Sequence, residues 1–170
     1  MARKTSLRDF QSYLANRLSA AASGAGSASW LALQAGDSRW LVDLAESGEI
    51  ILAPTVVPVP LTQPWFAGVA NIRGNLHAVT DFSAFLGGAP CRINSLSRLL
   101  LIGVRYGSNA ALLADRMLGL RKPDSFHPAP DDPTLPAWGC QCFTDSDGQR
   151  WHKLAVGALL ADDRFMHIGR

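Results

Sequence analysis

Asn71, Arg73 and Gly74 are the residues of this 170-residue chain best placed to do chemistry. They lie in the run Trp65-Phe66-Ala67-Gly68-Val69-Ala70-Asn71-Ile72-Arg73-Gly74-Asn75-Leu76-His77-Ala78-Val79-Thr80-Asp81-Phe82, where two apolar segments meet at Gly74-Asn75. That dipeptide predicts a tight hairpin turn, because glycine takes positive φ without steric cost. Residues two apart on a strand share a face. The pattern therefore presents an amide and a guanidinium side by side, next to Gly74. The chemistry open to such a pair is recognition: a guanidinium offers a planar fork of donors to carboxylates or backbone carbonyls. The structural alternative is that Asn71 satisfies backbone groups of the turn and Arg73 covers the end of the strand pair.

No nucleophile, general base or ligand set accompanies them. His77, His127, His152 and His167 are spread along the chain without helical pairing. Cys140 and Cys142 are separated by one residue, whereas metal sites favour a two-residue gap, and Cys91 is distant. Asp145-Ser146-Asp147-Gly148 hints at a calcium loop. Aligned on Gly148, however, such a loop would take Phe143 and Leu154 as ligands, so a hairpin turn explains the run better. No Walker loop, dinucleotide fingerprint or nucleophile elbow occurs. The expectation is a protein without catalytic residues, metal or cofactor.

Composition narrows the class further. Apolar residues make up 48% and charged residues 18%, enough for a packed core, and the net charge of +2 gives little purchase on nucleic acid. No apolar run reaches the roughly 20 residues of a spanning helix. The N-terminal segment is too interrupted by charge to be a signal peptide. Three cysteines make no disulfide framework, so the cytoplasm is the default compartment and no redox role is assigned to Cys91, Cys140 or Cys142.

The elements that must position the hairpin are mostly strands. Residues 6–22 read as an amphipathic helix with Leu7, Phe10, Leu14 and Leu18 on one face, and the Gly/Ser-rich residues 23–27 as a hinge. Four two-residue turn signals follow: Gly36-Asp37, Gly74-Asn75, Gly107-Ser108 and Asp147-Gly148. Each sits between apolar or alternating runs. Prolines make residues 56–64 an extended crossover and residues 122–137 irregular. Leu86-Gly87-Gly88-Ala89-Pro90 is the best internal boundary. The run Leu99 to Val104 is apolar on both faces, as a strand buried on both sides must be. Residues 156–165 read as one short helix.

The segment Gly68-Val69-Ala70-Asn71-Ile72-Arg73-Gly74, followed by Ala78-Val79-Thr80-Asp81-Phe82, resembles the hairpin of CheW-like domains. The resemblance implies a mostly β fold: two packed five-stranded SH3-like barrels over a shared core, with an N-terminal helix and a short C-terminal helix. Residues 1–27 would precede a domain at 28–168, with the first barrel at about 28–90 and the second at about 91–168. It implies a non-enzymatic adaptor coupling a methyl-accepting chemoreceptor tip to the regulatory domain of a CheA-type histidine kinase. Such an adaptor is cytoplasmic, held at receptor arrays on the inner membrane, with no nucleic acid bound and no membrane insertion. The run Asp81 to Gly88 resembles the twitching-motility branch of the family, which implies control of type IV pili. Implied partner-binding positions are Arg73, Asn71, Gly74, Ser47, Glu49, Leu99 and Ala111. Ser47 stands where the family usually carries an apolar residue. Leu99 and Ala111 match groove positions, with core burial as the alternative for each. Two rival classes are a ligand-binding barrel using His77 and Asp81, ~13 Å apart on an extended strand, and a nucleic-acid-binding barrel using Arg73, Trp65 and Phe66.

Overall fold

A computed structural model describes residues 29–102 and 104–170. The expected helix at 6–22 and its hinge lie outside the described residues. Eleven strands are described: β1 (Trp30–Ala35), β2 (Ser38–Asp43), β3 (Ser47–Leu52), β4 (Phe66–Ile72), β5 (Asn75–Asp81), β6 (Arg98–Ile102), β7 (Ala110–Ala114), β8 (Arg116–Arg121), β9 (Phe126–Ala129), β10 (Cys142–Asp145) and β11 (Arg150–Leu154). Three short helices are α1 (Phe82–Phe85), α2 (Val156–Leu160) and α3 (Asp163–Met166).

The strands form two sheets. One has six strands in the order β8-β1-β2-β11-β10-β9, the other five in the order β3-β6-β7-β5-β4. The expected local pairings form, β1 with β2, β4 with β5, β6 with β7, and β10 with β11, all antiparallel. Only the first two close on two-residue turns: β6 reaches β7 through a longer connection with a 3-10 turn at Val104–Tyr106, and four residues separate β10 from β11. The two parallel pairings, β5 with β7 and β11 with β2, tie distant parts of the chain together. The sheets do not divide the chain near Pro90, where the boundary between a first barrel at 28–90 and a second at 91–168 was expected. Strands β3 to β7 make one sheet, while β1 and β2 leave their neighbours in sequence and join β8 to β11. Local turn chemistry specifies hairpins only; which hairpin a strand joins next is decided by burial across the whole molecule. The sixth strand arises in the proline-rich stretch expected to be irregular. There β9 carries Pro128 on an edge strand, the part of a sheet that tolerates proline.

Period-two alternation sorts side chains into three apolar clusters. Leu99 and Leu101 point into a cluster made by the five-stranded sheet alone, with Ala70, Ile72, Val79, Ala111 and Leu113. Ala32 and Leu41 join Phe126 and Trp151 inside the six-stranded sheet. The alternate residues Leu31, Leu33, Trp40, Val42, Leu100, Ile102 and Leu112 meet between the sheets, with Phe82, Phe85, Trp138 and Phe165. The strand expected to be buried on both faces is β6, and it feeds two cores. Aromatic rings dominate the shared core: Trp40 lies edge-on to Phe82 at 4.9 Å, and Trp65 lies edge-on to Phe85 at 5.0 Å. Such pairs contribute about 1 kcal/mol each beyond their buried area.

Asp81 ends β5 and begins α1. Its Oδ1 accepts from the Ala84 N–H at 3.1 Å and its Oδ2 from the Cys91 N–H at 2.7 Å. Burial pushes its carboxyl above the ordinary range, while those two donors pull the other way. The expected C-terminal helix is two helices. It breaks because Asp162 caps α3, accepting from the Arg164 N–H at 2.8 Å, and also accepts the Trp138 indole N–H at 2.9 Å.

His152 on β11 stacks on Trp40 at 4.9 Å, and burial lowers its pKa below the ordinary histidine value. The unfolded ring therefore takes up a proton on acidification before the folded one does. Stability present at neutral pH is lost as the pH falls through that window. Melting curves over mildly acidic pH should show the wild type losing stability faster than His152→Gln; parallel curves would mean that the ring titrates alike in both states.

Candidate functional site

The hairpin β4–β5 pairs Ile72 with Asn75, so its two turn residues are Arg73 and Gly74, one position earlier than the sequence suggested. Their φ angles of +51° and +86° are those of a type I′ turn. Arg73 is thus a turn residue, not a strand neighbour of Asn71. Asn71 faces back: its Oδ1 accepts from the Gly74 N–H at 2.8 Å and closes the turn. A Cβ on Gly74 would meet no atom within 4 Å, so that glycine is demanded by backbone conformation alone. Gly74→Val should lower stability by about 2 kcal/mol, read as a drop in melting temperature; an unchanged melt would mean that the turn adopts another geometry.

Arg73 reaches across to β3, on the far edge of the same sheet. Its Nη1 donates to Glu49 Oε2 at 2.7 Å and its Nη2 to Glu49 Oε1, a bidentate pair. The Arg73 side chain is 74% exposed and that of Glu49 39%. An exposed ion pair of this kind contributes about 0.5 kcal/mol. A non-glycine residue in the left-handed region costs about 1 kcal/mol or more. The balance is unfavourable, so fold stability does not account for an arginine at this turn.

Below the ion pair lies a cavity of about 310 Å³, lined by Glu49, Ile72, Arg73, Asn75, His77, Leu101 and Asn109. His77 is buried, and its Nδ1 has no hydrogen-bond partner among the described residues. A second cavity of about 380 Å³ shares His77 and Asn109 with the first. It is mostly apolar, with Phe66, Val69, Ala78 and Phe165 on its walls, and the exposed Leu76 and Met166 are among its lining residues. The two cavities adjoin at His77 and Asn109 and make a recess that is polar beside Arg73 and Glu49 and mostly apolar on its other side.

The structure therefore brings together Asn71, Arg73, Gly74 and Glu49. Ser47 lies two residues before Glu49 on β3, its hydroxyl donating to the Leu44 carbonyl at 3.0 Å. Between them a Cβ on Gly48 would come within 2.5 Å of the Leu101 carbonyl oxygen, so the Ser47-Gly48 pair lets β3 close on β6. Leu99 and Ala111 are different: both are fully buried inside the five-stranded sheet and reach a partner only through the residues packed over them. His77 and Asp81, the pair a ligand-binding barrel would have used, are apart in role, since Asp81 caps α1. Among the described residues no three of His, Cys, Asp and Glu converge on a metal site. No described helix is long and apolar enough to cross a membrane. Sequence reasoning missed Asn109 and Met166 and did not bring Leu101 or Phe165 to the hairpin; all four lie far from it in the chain and enter through β6, the loop before β7, and α3.

Comparison with known proteins agrees with this architecture. Protein PilI of Pseudomonas aeruginosa is 28% identical over 95 residues, 55% of this chain and 53% of the relative. Protein FrzA of Myxococcus xanthus is 34% identical over 87 residues, 51% of this chain and 54% of the relative. The chain thus matches about half the length of these curated relatives. The crystal structure of the scaffolding protein TtCheW from Thermoanaerobacter tengcongensis superposes with a TM-score of 0.64 at 17% identity. That match covers 76% of this chain and 89% of the other, and it establishes the fold. The CheW-like domain matches residues 29–164, and the chain belongs to that family.

Proposed function

We propose that this protein is a non-enzymatic coupling adaptor that joins a methyl-accepting chemoreceptor tip to the regulatory domain of a CheA-type histidine kinase. It acts in the cytoplasm at receptor arrays on the inner membrane, and its output is type IV pilus twitching motility. The observation that carries the reading is Arg73. An exposed arginine is held in a left-handed turn at a conformational cost its one ion pair does not offset, beside a polar cavity that adjoins a mostly apolar one. That arrangement suits a helical partner with apolar anchors and a polar rim. Asn71 and Gly74 set the turn, Glu49 aims the guanidinium, and Ser47 lies beside Glu49 on the same edge strand. Leu99 and Ala111 shape the surface from beneath.

An adaptor of this kind transmits a signal only if receptor states differ in their contacts with it. Kinase and receptor must then occupy separate surfaces. Calorimetric titration against the kinase regulatory domain, and separately against a receptor-tip fragment, tests the reading. Saturable binding to both is expected; binding to neither would leave the fold without this role.

A further inference from the structure

A second cluster of reactive side chains lies on the six-stranded sheet, away from the Arg73 recess. Strand pairing sets Cys142 on β10 directly opposite His152 on β11. The Cys142 Sγ lies 3.5 Å from His152 Nδ1 and 3.3 Å from Arg150 Nη2. Arg150 is fixed in turn by donating to the Pro130 carbonyl at 3.0 Å. Cys142 is 1% exposed, so no reagent meets it first. Two residues earlier, Cys140 is half-buried, and its carbonyl oxygen lies 3.3 Å from the Cys142 sulfur. The arrangement has the parts of an activated thiol: a sulfur, a base in reach of its proton, and a cation to steady the anion.

We infer that Cys140 and Cys142 form a peroxide-responsive thiol pair, in which the more accessible, half-buried Cys140 is oxidised and buried Cys142, served by His152 and Arg150, resolves it. In the first step the Cys140 thiolate takes an oxygen from hydrogen peroxide; the O–O bond breaks, hydroxide leaves and Cys140 becomes a sulfenic acid. In the second, the Cys142 proton passes to His152 Nδ1 and the sulfur attacks the sulfenic sulfur. The S–S bond forms and the S–O bond breaks. The leaving hydroxyl departs as water with the proton held by His152. Two electrons pass from the thiol pair to the peroxide. Burial keeps the His152 ring neutral, the form that accepts a proton.

Cys91 is the internal control. Burial pushes its thiol up to about 12, so it resists ionisation at neutral pH. The test treats the purified full chain with hydrogen peroxide, blocks remaining thiols by alkylation and maps them by mass spectrometry. Cys140 and Cys142 should lose their thiols together as one intrachain disulfide that dithiothreitol reverses, with Cys91 still alkylatable. In Cys142→Ser, Cys140 should stop at a sulfenic acid that dimedone traps. In His152→Gln, with folding checked by near-ultraviolet circular dichroism, the disulfide should form about a hundredfold more slowly. Oxidation of Cys91 before the pair, or a Cys140 sulfenic acid that never closes to a disulfide in the wild type, would overturn the proposal. Wild-type closure rates in folded His152→Gln would remove His152 from it.

Discussion

Arg73→Glu should weaken receptor-fragment binding by about thirtyfold while leaving the melting curve within a degree or two of wild type. The first half follows from the position of Arg73 beside the recess, since reversing the charge of an arginine that hydrogen-bonds a partner costs about 2 kcal/mol. The second half follows from exposure. The Arg73 side chain is 74% exposed, and its loss removes only a surface ion pair. The substitution does place two carboxylates opposite one another, one at the turn and one on β3, so the charge-swapped pair Arg73→Glu with Glu49→Arg is the sharper experiment. It rebuilds an ion pair with the guanidinium now rooted on β3. If Arg73 meets a partner, the swap restores stability and not affinity. Full recovery of binding in the swap would show that the ion pair itself, and not the arginine's own reach from the turn, is what the partner needs.

Gly68→Ala should be the most damaging single change to the fold, at about 4 kcal/mol and roughly 10 °C in melting temperature. Gly68 has φ of +134°, and a Cβ there would stand 2.1 Å from the Val57 carbonyl oxygen. That contact is backbone against backbone, since Val57 and Val69 exchange hydrogen bonds in both directions at 2.8 and 2.9 Å. Neither chain can yield without breaking the bridge that pins the proline-rich crossover onto β4. A mild effect, comparable to that expected of Gly74→Val, would mean that the crossover moves aside readily. The recess wall formed by Phe66 and Val69 would then be softer than the packing implies.

The sequence made the hairpins legible because turn signals are local, although the β6–β7 and β10–β11 connections are longer than the two residues expected. Ala35 and Ser38 pair around Gly36-Asp37, and β10 and β11 meet at the turn containing Asp147-Gly148, where expected. It placed the central turn one residue late, since a type I′ turn ordinarily takes asparagine or glycine at its first position and here takes arginine. That departure is what sets Arg73 apart from an ordinary turn residue. The order of strands in each sheet was not legible, because the pairing of β11 with β2 joins residues more than a hundred apart and depends on which apolar faces bury each other. The recess was half legible. Arg73, Asn71, Gly74 and Glu49 belong to one neighbourhood, whereas His77 was noticed only in a different role. Asn109 and Met166 carry no local pattern that marks them. Leu99 and Ala111 illustrate the limit of reading apolar positions: alternation shows that a face is buried, not whether a partner or the protein's own core covers it.

In the proposed role, one molecule of this protein holds kinase and receptor at once. Sedimentation velocity of the protein mixed with a CheA-type regulatory domain and a receptor-tip fragment, each also run in pairs, tests it most directly. A ternary species larger than either pair is expected, lost on the receptor side alone in Arg73→Glu. Mutually exclusive binding, with receptor displacing kinase and no ternary species at any ratio, would contradict it.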